Sequence, residues 1–240
     1  MAADGGRSAG SGADGSASGR EQSERSEACW WPPVPAGRGC PGSAPSAATG
    51  LRHGAGARRL AVVSVVLAQR ARREAEARLA EQPRRLAHVR GVATTAERLS
   101  RRFDAQTADC LVAAGWLHDI GYAPSVRRTG FHPLDGAEFV RSAGFGELVA
   151  SLVAFHTGAH AEAAERGLSG LSAFSDPPSN VLDALTFCDL TTGPDGAPIS
   201  PRDRLRDVLA RYGSEDPVHR AVDAGRDELL AAVRRVRDWL

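Results

Sequence analysis

The stretch that decides the fold is LVAAGWLHDIGY, residues 111–122. Its first seven residues are continuously apolar, which indicates a helix that is buried on all sides. A histidine and an aspartate, His118 and Asp119, follow at the end of this helix. A desolvated carboxylate is costly unless it is paired or bound to a metal, so this position predicts a partner for Asp119. Gly121 then allows the chain to turn away.

Outward from this stretch, the chain is predicted to be all-α. Apolar residues recur at helical spacing from residue 60 onward, and no strand alternation persists. We predict helices over about 60–81 and 83–103, a third with its core at 111–119, and others over about 133–144, 147–157, 179–191, 201–212 and 216–240. Thr107 or Asp109 is expected to cap the third of them. The dense run of arginine and glutamate at 69–85 is interpreted as a solvated helical face.

Composition divides the chain at about residue 58. Residues 1–58 are rich in Gly, Ala, Ser, Pro and Arg and contain almost no aliphatic run. Such a segment cannot bury enough apolar surface to offset the entropy of ordering its backbone, so a disordered tail is predicted. Residues 59–240 are long enough to enclose a proper core and are predicted to form one domain.

Charge and cysteine content exclude several classes of function. The net charge of +1 argues against dedicated nucleic-acid binding. All 30 basic residues are arginine, which excludes a Schiff-base lysine and a Walker-type phosphate lysine. The four cysteines form no C-x-x-C pair, and neither a signal peptide nor a segment long enough to span a bilayer is evident. We therefore expect a cytoplasmic protein that does not bind membranes.

The string LVAAGWLHDIGY resembles the HDIG signature of the HD superfamily, whose wider pattern is H…HD…D on a helical bundle. His88 in RRLAHVRGV resembles the first histidine of that pattern, and Asp189 in ALTFCDLTT resembles its closing aspartate. His132 in TGFHPLDG and His156 in LVAFHTGA match the two extra histidines of the binuclear subfamilies. The resemblance covers about residues 84–192 and implies an HD-domain helical bundle.

The resemblance also implies a metal site. The six candidate ligands are His88, His118, Asp119, His132, His156 and Asp189. Imidazoles and carboxylates without thiolates suit Mn, Fe, Co, Ni or Zn in a hydrolytic or oxygen-active site. By resemblance, Asp119 would bridge two divalent ions. His88, His118 and Asp189 would complete the coordination of one ion, and His132 and His156 that of the other. His118 and Asp119 would then carry the catalytic function. The open alternative is a single ion, with His132 and His156 acting on the phosphate.

By the same resemblance, the leading function is a phosphohydrolase. Its substrate would be a phosphomonoester or phosphodiester of a nucleotide-like compound, attacked by a hydroxide that bridges the two metals. The GYP signature of cyclic-dinucleotide phosphodiesterases is absent, because Ala123 follows Gly121 and Tyr122. Two alternatives remain open: an HD-type di-iron oxygenase that uses the same ligands, and a non-catalytic HD sensor or interaction module.

Two residues near the site are candidates for binding substrate. Arg127 and Arg128 lie in the loop before His132, and a guanidinium can bind phosphate in a bidentate manner. Two solvated loop arginines fit the sequence equally well. Asp135, in the first turn of the following helix, is expected either to complement the helix dipole or to orient a ligand histidine.

Overall fold

The computed structural model of the protein describes residues 55–240, with side chains from residue 66 onward. The predicted tail, residues 1–58, lies outside the described residues except for its last four, which begin the first helix. The helices are α1 (Ala55–Arg78), α2 (Pro83–Leu99), α3 (Ala105–Leu117), α4 (His132–Ser142), α5 (Glu147–Phe155), α6 (Ala159–Glu165), α7 (Ser179–Leu190), α8 (Pro201–Arg211) and α9 (Pro217–Asp238). Short 3-10 turns cover Ser100–Arg102, Ile120–Tyr122, His156–Gly158 and Gly170–Ala173. No strand occurs within 55–240, so the all-α prediction is confirmed for this part of the chain.

The start of α3 differs from the prediction. Asp104, rather than Thr107 or Asp109, is the capping residue. Its carboxylate accepts hydrogen bonds from the backbone N–H groups of Gln106 and Thr107, each at 3.1 Å. Those two donors have no partner within the helix, so an aspartate two or three residues before them satisfies them best. The prediction was wrong because several residues of capping type follow one another here.

Helix α3 is the centre of the bundle. It packs against α1, α2, α5 and α7, and every residue from Cys110 to Leu117 is buried. It approaches α2 closely at Gly115, where a Cβ would lie only 3.1 Å from the Cα of Ala93. A glycine therefore permits the two backbones to approach. This contact brings the side chains of His88 and His118 together.

The charged run at 69–85 only partly faces solvent. Ala71, Ala75 and Leu79 are fully buried, and α1 packs on α3. Arg85, at the end of the run, is only 5% exposed. The interpretation as a solvated face is therefore wrong at this end, because Arg85 has a buried carboxylate as its partner, described below.

The last two helices close the bundle over α7. A small apolar cluster of Leu190, Leu205, Leu229 and Val233 joins α7, α8 and α9. Prolines stand at the start of α8 and α9, preceded by Ser200 and Asp216, whose side chains accept hydrogen bonds from the first turn. Helix α8 is thereby held beside the carboxyl end of α7. None of the helices described is both long and apolar enough to cross a membrane.

Candidate metal centre

The structure brings the four predicted histidines and the two predicted aspartates together. They come from the ends or inner faces of five helices: His88 from α2, His118 and Asp119 from the end of α3, His132 from the start of α4, His156 from the residue after α5, and Asp189 from α7. All of them are buried except His132, which is partly exposed. Site residues from segments that are 14 to 33 positions apart in the sequence therefore lie in one cluster in the core of the bundle.

The first group of side chains that could hold a metal consists of His88, His118 and Asp119. One potential ligand atom from each lies within 4.8 Å of the others. The Nε2 atoms of His88 and His118 are 3.4 Å apart. The Oδ1 atom of Asp189 lies 3.1 Å from the Nε2 atom of His88, so this carboxylate borders the same group.

The second group consists of Asp119, His132 and His156. The Nε2 atoms of the two histidines are 3.2 Å apart. The Oδ1 atom of Asp119 lies 3.5 Å from the Nε2 atom of His132 and 4.0 Å from that of His156. The same oxygen is 3.7 Å from the Nε2 atom of His118, in the first group. Asp119 is thus the residue common to both groups.

Backbone carbonyls determine which ring nitrogens face the cluster. The Nδ1 atoms of His88, His118 and His156 lie 3.1, 3.0 and 2.6 Å from carbonyl oxygens. The accepting carbonyls belong, in the same order, to Gly193, Gly115 and Val153. Because a carbonyl only accepts hydrogen bonds, each Nδ1 carries the proton and each Nε2 presents a lone pair. Lone pairs that converge within 3.4 Å repel one another unless a cation lies among them, so the donor set fits a metal ion.

Burial and neighbouring charges favour the protonation states that a metal needs. Desolvation lowers the pKa of His88 and His156 and holds that of His132 well below its usual range. These rings are therefore neutral at neutral pH. Burial alone would raise the pKa of Asp119, but the positive charge of Arg85 lowers it. Neutral imidazole and ionised carboxylate are the ligand forms.

Arg85 fixes the orientation of the Asp119 carboxylate, which the two ligand groups share. The sequence motifs did not predict this role. The Nη1 atom of Arg85 lies 2.6 Å from the Oδ2 atom of Asp119, and both side chains are buried. Oδ2 is therefore occupied, and Oδ1 faces the histidines. The guanidinium also lies 3.3 Å from the ring centre of Tyr122, which stacks on His132 at 4.0 Å. The available signal was the spacing of three residues from Arg85 to His88, which places both on one helical face.

Thr157 holds Asp189, and Arg204 lies 3.4 Å from it, two contacts that the sequence pattern does not predict. The hydroxyl of Thr157 donates to the Oδ2 atom of Asp189 at 2.6 Å. Thr157 has φ 45° and ψ 48°, a left-handed conformation that is unfavourable for a β-branched residue. Helix α5 ends at Phe155 rather than at 157 as predicted, because the backbone of His156 is extended, with φ −60° and ψ 147°. The break turns His156 and Thr157 toward the cluster.

Gly121 is needed for a different reason from the one predicted. It lies in the 3-10 turn after Asp119 and does not have a positive φ. A Cβ at this position would lie 2.1 Å from the carbonyl oxygen of His132 and 2.8 Å from the backbone nitrogen of Gly136. The glycine is required because the backbone of α4 packs directly on it. This close contact sets the position of His132.

The loop before α4 is anchored by Asp135. Its buried carboxylate accepts hydrogen bonds from the backbone N–H groups of Arg128, Thr129 and Gly130 at 2.9 to 3.1 Å. The side chain of Arg128 is 75% exposed and lies 3.5 Å from Glu138, so the structure does not bring it to the cluster. Arg127 is exposed as well. Substrate binding by this arginine pair stays a prediction.

One comparison with known proteins gives a match. A family model described as HD domain matches residues 85–212, just over half of the chain. The matched segment spans α2 to α8 and includes all six clustered residues. Searches of curated proteins and of solved structures returned no match.

Proposed function

The chain belongs to the HD domain family, and from this premise we propose that it is a metal-dependent phosphohydrolase. Its substrate is a phosphomonoester or phosphodiester of a nucleotide-like compound. The observation that carries the proposal is the pair of ligand groups that share Asp119. Two cation sites with one common carboxylate suit the in-line displacement of a phosphoryl group, because both the attacking and the leaving oxygen need a neighbouring positive charge.

Each group would hold one divalent cation. His88, His118 and Asp189 would hold the first, His132 and His156 would hold the second, and Asp119 belongs to both groups. The donor set suits Mn, Fe, Co, Ni or Zn, since it contains imidazole and carboxylate but no thiolate. When bound, such cations would act as Lewis acids on a phosphoryl oxygen and lower the pKa of a water molecule to near neutrality.

The residues of the chain prepare this site in three ways. Arg85 directs one oxygen of Asp119 away from the cluster and leaves the other for the metals. Backbone carbonyls hold three imidazoles in the ligand tautomer, so the ligands need little rearrangement. His132 is the partly exposed member of the cluster, with 16% of its side chain accessible, so substrate approaches from its side.

The first experiment measures metal and phosphatase activity together. The full chain is purified, its metal content is determined by ICP-MS, and it is assayed with p-nitrophenyl phosphate and bis(p-nitrophenyl) phosphate in the presence of Mn²⁺ or Co²⁺. Asp119→Ala is expected to lose metal and to reduce turnover by about 1000-fold or more, because it removes the shared ligand. Asp223→Ala, which removes an exposed carboxylate on α9, is the matched control and should match the wild type.

Other results would assign the site differently. Bound iron, an O₂-dependent spectral change and no turnover of any phosphate ester would favour the di-iron oxygenase. Absence of metal under all loading conditions would overturn both enzyme functions and leave the sensor or interaction module.

A further inference from the structure

Arg204 on α8 is a buried cation whose hydrogen-bonding capacity is largely unused. The residue is 6% exposed. Its Nη2 atom lies 3.4 Å from the Oδ1 atom of Asp189, which is long for a charged pair. Its Nε and Nη1 atoms are enclosed and have no hydrogen-bond partner among the described residues. The donors of a buried guanidinium cost free energy when they are left unsatisfied, so they call for an acceptor.

The charge balance around the cluster indicates the sign of the missing partner. The carboxylate of Asp119 is compensated by Arg85, and that of Asp189 by Arg204. The Nδ1 atoms of His88, His118 and His156 face backbone carbonyls, so these rings can offer a metal a lone pair without adding charge. The two carboxylates and the two arginines thus balance each other. Each divalent cation then adds positive charge that no described residue of the cluster compensates, so the loaded site favours an anion.

A second arginine adds to the positive charge beside Arg204. Arg211 lies on the same helix, two turns further on, and is partly buried. Burial and the charge of Arg204 both lower the pKa of Arg211. Neighbouring buried cations repel each other, and an anion between them or beside them removes that cost.

We propose that Arg204 forms an anion subsite beside the metal cluster, which binds the non-bridging oxygens of a terminal, doubly charged phosphate group. The subsite rests on the proposed phosphohydrolase function and narrows it: a phosphomonoester, or the terminal phosphate of a polyphosphate, is preferred over a diester. A terminal phosphate carries about one charge more than a diester near neutral pH and therefore offsets more of the positive charge.

Arg204 would reach the phosphate by turning on its side chain, because its Nε and Nη1 atoms are enclosed. It gives up only the 3.4 Å contact with Asp189, and that oxygen then becomes fully available to a cation. The planar guanidinium can offer two parallel N–H donors to two phosphate oxygens, which an ammonium group cannot match.

The test measures binding of inorganic phosphate to the metal-loaded full chain by isothermal titration calorimetry. Arg204→Met is expected to raise the Kd for phosphate by about tenfold or more, since a hydrogen-bonded charge is lost. Arg204→Lys should give a smaller increase of about threefold or more, because the charge remains but the paired donors do not. Arg206→Met, on the same helix with its side chain 75% exposed, is the control and should match the wild type.

Metal content and thermal unfolding of each variant separate a subsite from a structural role. If Arg204 only positions Asp189, the substitutions lower metal occupancy, while the phosphate affinity of the loaded fraction stays within about twofold of the wild type, and the proposal is overturned. If Arg204→Met fails to fold, Arg204→Lys decides: a phosphate affinity equal to that of the wild type overturns the subsite.

Turnover provides a second and independent measurement. In Arg204→Met, kcat/KM for p-nitrophenyl phosphate should fall by about tenfold more than kcat/KM for the diester. Equal losses on both esters would overturn the preference for a terminal phosphate. If no ester is hydrolysed by the wild type but phosphate binding still depends on Arg204, the phosphohydrolase function fails and the anion subsite stands.

Discussion

The two halves of the cluster share one carboxylate but are held in different ways. His88 and His118 lie on α2 and α3, which pack closely on each other, and their side chains are 0% and 1% exposed. His132 and His156 stand at the ends of short helices, and 16% of the His132 side chain is accessible. The ring of His132 stacks on Tyr122, and this aromatic contact borders the exposed side.

This difference separates a closed half from an open half. Sites enclosed by protein ligands retain their metal, whereas catalytic positions keep a side open to water or substrate. On the proposed function, we expect an ion held by His88 and His118 to be bound tightly. We expect an ion held by His132 and His156 to exchange and to contact the substrate.

The largest effect should come from comparing two single substitutions, one of a histidine in the closed half and one of a histidine in the open half. His118→Ala is expected to lose both ions and to weaken metal affinity by more than about 100-fold, because it removes the buried ligand next to the shared Asp119. His132→Ala should retain one ion per chain and lose turnover. Metal per chain is counted by ICP-MS after dialysis. Equal stoichiometry in the two variants would show that the halves do not differ.

The next effect concerns the contact that positions the open half. Gly121→Ala places a Cβ 2.1 Å from the carbonyl oxygen of His132, so α4 must move. We expect a loss of about 1–3 kcal/mol in the free energy of unfolding, together with lower occupancy of the second ion. Gly225→Ala is the control: it lies within α9 with open space around it, and should stabilise by about 0.5–1 kcal/mol. Urea denaturation in the presence of a chelator measures the free energy of unfolding of both variants. Equal stability of the two variants would contradict the close contact.

Acidification should destabilise the metal-free protein. Burial lowers the pKa of His88, His132 and His156 in the folded chain, so the unfolded chain binds more protons once the pH falls below about 6.5. The free energy of unfolding therefore decreases from that pH downward. Asp119 adds a further loss below about pH 4, since Arg85 and the imidazoles outweigh burial and lower its pKa. Urea titrations between about pH 8 and pH 5 check the histidine part, and a constant midpoint would disprove it.

The smallest effect is expected at Thr157, which links the two halves through Asp189. Thr157→Ala loses the hydrogen bond to Asp189 and keeps the left-handed backbone, so we expect a loss of about 1–2 kcal/mol. Thr157→Gly loses the same bond but relieves the backbone, and should be less destabilising by about 1 kcal/mol. Thermal unfolding in chelator compares the two. An Ala variant as stable as the Gly variant would indicate that the backbone at 157 is not strained.

The sequence was most informative where one local rule applied. The continuous apolar run before His118 predicted a buried helix, and α3 is the central helix of the bundle. Local rules failed where a long-range partner decided the outcome. Arg85 looked like part of a solvated run, but Asp119 draws it into the core. The end of α5 was placed two residues too late, because nothing near Thr157 in the sequence announces its bond to Asp189, 32 residues later.

The sequence by itself determined that the chain is helical and that residues 111–117 are buried, and its resemblance to the HD superfamily gave the six candidates for one metal site. Periodicity and residue chemistry are local properties, so they can be read from the order of residues. Only the tertiary structure decided which oxygen of Asp119 faces the histidines, that Gly121 is a contact point for α4, and that Arg204 lies buried beside Asp189. These features depend on distances between segments far apart in the chain, which are set by the packing of the helices and not by any one of them.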